Sequence, residues 1–118
     1  MRSHDTRVAL VDVLRAGAEI ERFLDGRSLA EYESDRLLSS AVERQFEIVG
    51  EALTRALQAD PGVGVHLAEA RHVIGFRNRL AHGYDTVDDR LVWTFAIQKL
   101  PALLAAVRDA LGEGLHDG

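Results

Sequence analysis

Apolar side chains recur every three or four positions in four stretches of the chain, and turn-forming residues separate them. Val8, Val11, Leu14 and Ala18 predict a first helix over 5–24. Asp25-Gly26 ends it, glycine being suited to the left-handed position after a helix. Ser28-Leu29-Ala30-Glu31 has the spacing of a capping box and predicts a short turn of helix. Ser34 is placed to cap a long helix over 35–58, with Leu38, Ala41, Val42, Gln45, Val49, Ala52, Leu53 and Ala56 as its apolar seam. Gly50 lies inside it, at a cost of about 1 kcal/mol, and either admits a neighbouring helix or is simply tolerated.

Asp60-Pro61-Gly62-Val63-Gly64 is a loop signal, and a third helix follows from 66 to 80 or 81. His82-Gly83-Tyr84-Asp85 breaks it. Thr86 or Asp88 can cap a last helix reaching 111, with a kink or break near Lys99 and Leu100 imposed by Pro101. Residues 112–118 read as a frayed tail. There is no strand pattern and no repeat, so the expectation is a single all-α domain over 1–118, a four- to five-helix up-and-down bundle.

Composition changes this picture in three ways. A hydrophobic share of 47% against 28% charged residues suits a soluble domain with a real core. At 118 residues such a domain buries only part of its surface, and pairing with a second copy would help. No cysteine is present, which excludes a disulfide scaffold, a thiolate metal site and a cysteine nucleophile. No signal peptide opens the sequence and no apolar run reaches the roughly 18 residues a membrane span needs, so a cytoplasmic location without membrane contact is expected. The net charge of −5 argues against broad, charge-driven RNA binding and for a local basic site or a protein partner.

The stretch with chemistry in it is Arg77-Asn78-Arg79-Leu80-Ala81-His82-Gly83-Tyr84. At about 100° per residue, Phe76, Leu80 and Ala81 fall on the same stripe as Val73, and Arg77 falls inside that stripe. Arg71, Asn78 and His82 fall on the opposite side. An arginine on a buried stripe must be compensated, because it cannot shed its charge. Three readings stay open: its stem snorkels along the core, it pairs with Glu47 or Glu51, or it faces a cleft and serves an anionic ligand. Arg77 and His82 are about 140° apart on a straight helix, so a site using both needs a distortion near Ala81 or a two-fold partner. Arg71, His72, Arg79 and Arg90 form either a local basic rim or a solvated face.

Glu43, Glu47 and Glu51 recur every fourth residue, and no histidine at matching helical spacing turns them into a metal site. A solvated or interface face, with Glu51 paired to Arg55, is the stronger reading. His4, His66 and His116 lie near predicted ends and loops, where no chemistry is expected of them. Trp93 and Phe95 are two apart and are not expected to share one core, which offers one of them to a dimer surface.

Arg77, four residues, His82, one residue and Tyr84 resemble the R-x4-H-x-Y motif of HepT-like proteins of the HEPN superfamily. Ile48-Val49-Gly50-Glu51-Ala52 is similar to that family's long-helix segment, and Ile74-Gly75-Phe76-Arg77-Asn78 to its approach to the motif. Val92-Trp93 and Leu100-Pro101 resemble its last helix, so the likeness runs over about 5–111.

The resemblance implies a HEPN-like bundle that forms a two-fold homodimer, with further assembly open, and the motif helices facing across a cleft. It implies metal-independent cleavage of RNA by the toxin of a toxin–antitoxin pair, whose antitoxin is a minimal nucleotidyltransferase. Arg77 and His82 would be catalytic, Asn78, Arg79 and Tyr84 would bind substrate, and Tyr84 would be the residue the antitoxin adenylylates. No metal or cofactor is implied. The alternative is a non-catalytic helical adaptor that docks a nucleotidyltransferase and is modified by it; a purely structural helical interaction domain is a third reading.

Overall fold

A computed structural model of the chain describes residues 3–81 and 88–116; the side chains of 77, 79–81 and 113–116 are outside the description. Every regular element in the described residues is helical. Helix α1 is His4–Leu24, α2 Leu29–Ser34, α3 Arg36–Ala59, α4 Ala70–Ala81, α5 Asp89–Gln98 and α6 Leu100–His116, with a 3-10 turn at Pro61–Val65. The all-α bundle expected from the periodicity is what forms.

The helix ends follow from their caps. Ser3 accepts from the Thr6 backbone N–H at 3.2 Å to open α1. Gly26 takes a φ of +73° just beyond its end, a conformation only glycine adopts freely. The capping box at α2 is complete: Glu31 N–H donates to the Ser28 hydroxyl at 3.1 Å, and Ser28 N–H donates to the Glu31 carboxylate at 3.0 Å. These bonds hold the exposed Glu31 carboxyl below its ordinary range, the backbone N–H of Ser28 contributing most. Asp35, not Ser34, caps α3, because its carboxylate reaches Leu38 N–H at 3.0 Å. Asp88, one of the two expected caps, opens α5 by accepting from Arg90 N–H at 3.0 Å; Thr86 lies outside the described residues.

The core joins α1 to α3, α3 to α4, and α1 to α6. The stripe on α1 differs from the expected one by about one residue of rotation. Ala9, Leu10, Val13, Ala16, Ile20 and Leu24 are buried, whereas Val8 is 43% exposed, Ala18 is exposed, and Val11 and Leu14 are half-buried. A Cβ on Gly17 would lie 2.4 Å from Leu104 Cδ2, so a side chain there would make Leu104 of α6 shift. On α3 the seam holds at Leu38, Val42, Val49, Ala52, Leu53 and Ala56, and Gly50 is buried with them. Ala41 and Gln45 are only half-buried, and Phe46, absent from the expected seam, is fully buried.

The third helix begins at Ala70 rather than at residue 66. Val63, Leu67 and Ala70 are all buried, and their spacing imitates a helix. The backbone instead runs in tight turns, with His66 N–H bonded to Val63 C=O and Leu67 N–H to Gly64 C=O. Pro101 acts as expected: α5 stops at Lys99, and α6 leaves at 45° to it. The tail expected to fray stays helical to His116. No single described helix is long and apolar enough to cross a membrane.

Candidate active site

The site is built on α4 and the helices that hold it. Val73 is fully buried, and Phe76 closes an aromatic trio with Phe46 of α3 and Phe95 of α5. Ring centroids are 5.3 Å apart for Phe46–Phe76, 5.8 Å for Phe46–Phe95 and 6.1 Å for Phe76–Phe95. Phe46 meets the other two edge-on and Phe76 stacks on Phe95; aromatic pairs of these kinds add about 0.5–1.5 kcal/mol each beyond the area they bury. Phe76 immediately precedes Arg77, so the anchor of the helix and the first motif residue are neighbours in the chain.

Arg77, Asn78 and Arg79 lie in the last turns of α4, at the end from which the chain runs on to His82 and Tyr84. Asn78 is exposed, as the helical wheel predicts, and so is Arg71. The side chains of Arg77 and Arg79, and the whole of His82 and Tyr84, lie outside the described residues. The helix break expected at 82–85 lies there too.

The acidic residues on α3 are partly spoken for. Glu47 receives Arg44 at 3.1 Å, and Arg55 crosses to Asp12 of α1 at 3.2 Å. Glu43 is half-buried, and its carboxyl is pushed up first by burial and then by Asp89. Among the described residues no group of three His, Asp or Glu side chains is placed to hold a metal ion.

Trp93 and Phe95 are both half-buried against the core, contrary to the expectation that two residues so spaced cannot share it. They reach different parts of the core: Phe95 enters the trio on α3 and α4, and Trp93 packs on Tyr32 of α2 at 5.8 Å. The exposed apolar side chains of α5 are Leu91 and Ile97.

At its start α4 meets a shallow groove of about 410 Å³, floored by Leu57, Leu67 and Ala70 and rimmed by Arg71. Next to it Glu69 accepts from His72 Nδ1 at 2.9 Å and sits 3.9 Å from Lys99. The hydrogen bond from His72 is the main reason its carboxyl stays below the ordinary range. Gly75 is exposed in mid-helix, and a Cβ built there meets nothing within 4 Å.

Comparison with known proteins places this geometry. A protein of Methanocaldococcus jannaschii named "Putative RNase MJ1380" is 26% identical over 103 residues, covering 87% of this chain and 94% of that one. "Putative RNase TTE0752" of Caldanaerobacter subterraneus subsp. tengcongensis is 29% identical over 92 residues, 78% of this chain and 80% of its own. "Putative RNase MJ0127" of M. jannaschii is 27% identical over 101 residues, 86% and 83% respectively. No solved structure matches the chain significantly. The family model described as "Ribonuclease HepT-like" matches residues 13–110, from the middle of α1 into α6, and the chain therefore belongs to the HepT-like ribonuclease family.

Proposed function

We propose that the chain is a metal-independent endoribonuclease, the toxin of a toxin–antitoxin pair, and that it cuts RNA at a cleft between two copies of itself. The reading is carried by one juxtaposition. In a HepT-like chain, Arg77, His82 and Tyr84 follow one another at the end of a helix that the aromatic trio fixes on the core.

The chemistry uses the substrate's own 2′-hydroxyl. One His82 takes its proton as the oxygen attacks phosphorus, and the bond from phosphorus to the 5′-oxygen breaks. A second His82, from the two-fold partner, donates a proton to the leaving 5′-oxygen. Products are a 2′,3′-cyclic phosphate, which water can open to a 3′-phosphate, and a 5′-hydroxyl. Arg77 binds the scissile phosphate through two parallel N–H donors and stabilises the charge that grows on it. Asn78 and Arg79 position the strand, and Tyr84 bonds phosphate or stacks on a base. The cognate partner is a minimal nucleotidyltransferase, which silences the toxin by adenylylating Tyr84. The pair works in the cytoplasm.

Incubating purified protein with mixed RNA in EDTA, beside a His82→Ala control, tests the reading. Wild type is expected to leave cyclic-phosphate ends, and His82→Ala to fold normally and cut at least about 100-fold more slowly, as loss of a general acid–base does. Equal cleavage by both proteins removes His82 from the mechanism. No cleavage by a preparation whose Tyr84 is shown by mass spectrometry to be unmodified shifts the assignment to the nucleotidyltransferase-docking adaptor.

A further inference from the structure

We infer that Gly75 is a strand-approach position: the exposed face of α4 centred on it receives the backbone of single-stranded RNA beside the point of cleavage. The inference rests on the ribonuclease reading and adds to it a surface and a residue that the R-x4-H-x-Y motif does not contain.

The first observation is a misfit. Gly75 sits in the middle of α4, six residues from its last residue. Glycine there weakens the helix, because it loses more backbone freedom than any other residue. Packing does not demand it. Gly17 shows what demand looks like, with Leu104 where its Cβ would be. At Gly75 the same position has nothing within 4 Å among the described residues. The helix forgoes a stabilising side chain and nothing in the described fold requires the omission. An open glycine is where another backbone can come close.

The second observation is what surrounds the gap. At about 100° per residue, Arg71, His72, Asn78 and Arg79 all lie within roughly 60° of Gly75, at three and four residues on either side. The side chains of Arg71, His72 and Asn78 are exposed. All four residue types can donate hydrogen bonds, and none is acidic. Helix α4 as a whole has no Asp or Glu, in a chain of net charge −5. A bare strip of backbone framed by donors and cations complements a phosphodiester chain. It suits a second copy of itself poorly, since the arginines of one α4 would face those of the other.

Val73 is buried, and Gly75 lies about 200° further round, opposite the core. On the wheel, position 77 falls about 200° beyond Gly75, off the strip. The strip therefore does not hold the scissile phosphate. It holds the strand to one side of it, from Arg71 at the rim of the groove towards the motif end. A side chain at position 75 would lift the strand away, so the effect falls on binding and leaves the chemical step alone.

The test compares wild type with Gly75→Ala and Gly75→Leu. Melting temperature, self-association by sedimentation, and kcat and KM on a single-stranded oligoribonucleotide are measured for each. RNA affinity is measured in the His82→Ala background, which leaves the strand uncut. Both variants are expected to melt no lower than wild type, because each residue is a better helix former than glycine. KM and Kd are expected to rise, by about tenfold for Leu and less for Ala, while kcat holds. Unchanged KM and Kd in a Gly75→Leu protein that wild type outpaces in nothing overturns the inference and leaves the ribonuclease reading intact. Loss of self-association in step with loss of activity overturns it in favour of a second copy on this face. A wild type that neither binds nor cuts RNA overturns both. Should Gly75→Leu misfold, Gly75→Ala decides, since its methyl meets no neighbour within 4 Å.

Discussion

Tyr32 is fully buried, and its hydroxyl has no hydrogen-bond partner among the described residues. Burial pushes its phenol well above the ordinary tyrosine range, so the group is a neutral, desolvated hydroxyl. An unsatisfied buried polar group of this kind costs about 1–3 kcal/mol. Its ring contributes independently of the oxygen, packing on Trp93 at 5.8 Å. Tyr32→Phe keeps the ring and removes the orphan. It is expected to raise stability by about 1 kcal/mol in urea unfolding, with an unchanged m-value. A drop in stability would show that the hydroxyl is bonded in solution. Residues are also where the sequence was least legible. Phe46, the hub of the aromatic trio, escaped because a seam that counts Gln45 is already complete without it. Gly75 was legible only as part of the approach to the motif; that no described neighbour stands where its Cβ would be needs coordinates. Arg77 stood out by physics, as an arginine on the apolar stripe, whereas His82 stood out by motif alone; a wheel puts them about 140° apart.

Elements were far more legible, because caps and breakers act locally. The Ser28–Glu31 capping box, Gly26 and Pro101 each did what their chemistry dictates within a turn of themselves. The errors came where tertiary packing chose between local options. Asp35 outcompetes Ser34 as the cap of α3, and Val63 and Leu67 are buried by turns instead of helix. The corner where α2, α3 and α5 meet yields a pH prediction. Glu43 of α3 is half-buried there, facing Tyr32 of α2 and Asp89 of α5, with Arg36 and Glu47 along its own helix. Burial and then Asp89 raise its pKa in the folded state; Arg36 opposes them without cancelling the rise. A carboxyl whose folded pKa exceeds its unfolded value favours folding when protonated. That contribution is fully present below the unfolded pKa, near 4.5, and is lost as pH rises through the folded value. At neutral pH the charged Glu43 is therefore a burden on the corner. Glu43→Gln is expected to raise the melting temperature at pH 7 and to lose most of that advantage at pH 4. An advantage that is equal at both pH values would mean that side-chain packing, not charge, is responsible.

At the scale of the molecule the governing fact is an uneven distribution of charge. The bundle is 19 Å across its shortest dimension, about two helices thick, so nearly every helix has one face on the core and one on solvent. Of 19 acidic residues none lies on α4, while three of the 14 cationic ones, Arg71, Arg77 and Arg79, do. Such a molecule repels a polyanion at long range and attracts it along one helix. RNA held in this way displaces few counterions. Single-stranded binding loses affinity with salt at a slope of about −0.7 per phosphate neutralised, so three arginines predict a slope near −2. The measurement is Kd for a single-stranded oligoribonucleotide in the His82→Ala protein across a salt series. Arg71→Ala is expected to flatten the slope by about 0.7 and to weaken binding to all sequences alike. A slope of about −5 or steeper would mean that the strand tracks over more cations than α4 possesses, and the contact would have to extend to other helices. A flat response would mean that no phosphate is neutralised, and the RNA would then be held by stacking and hydrogen bonds alone.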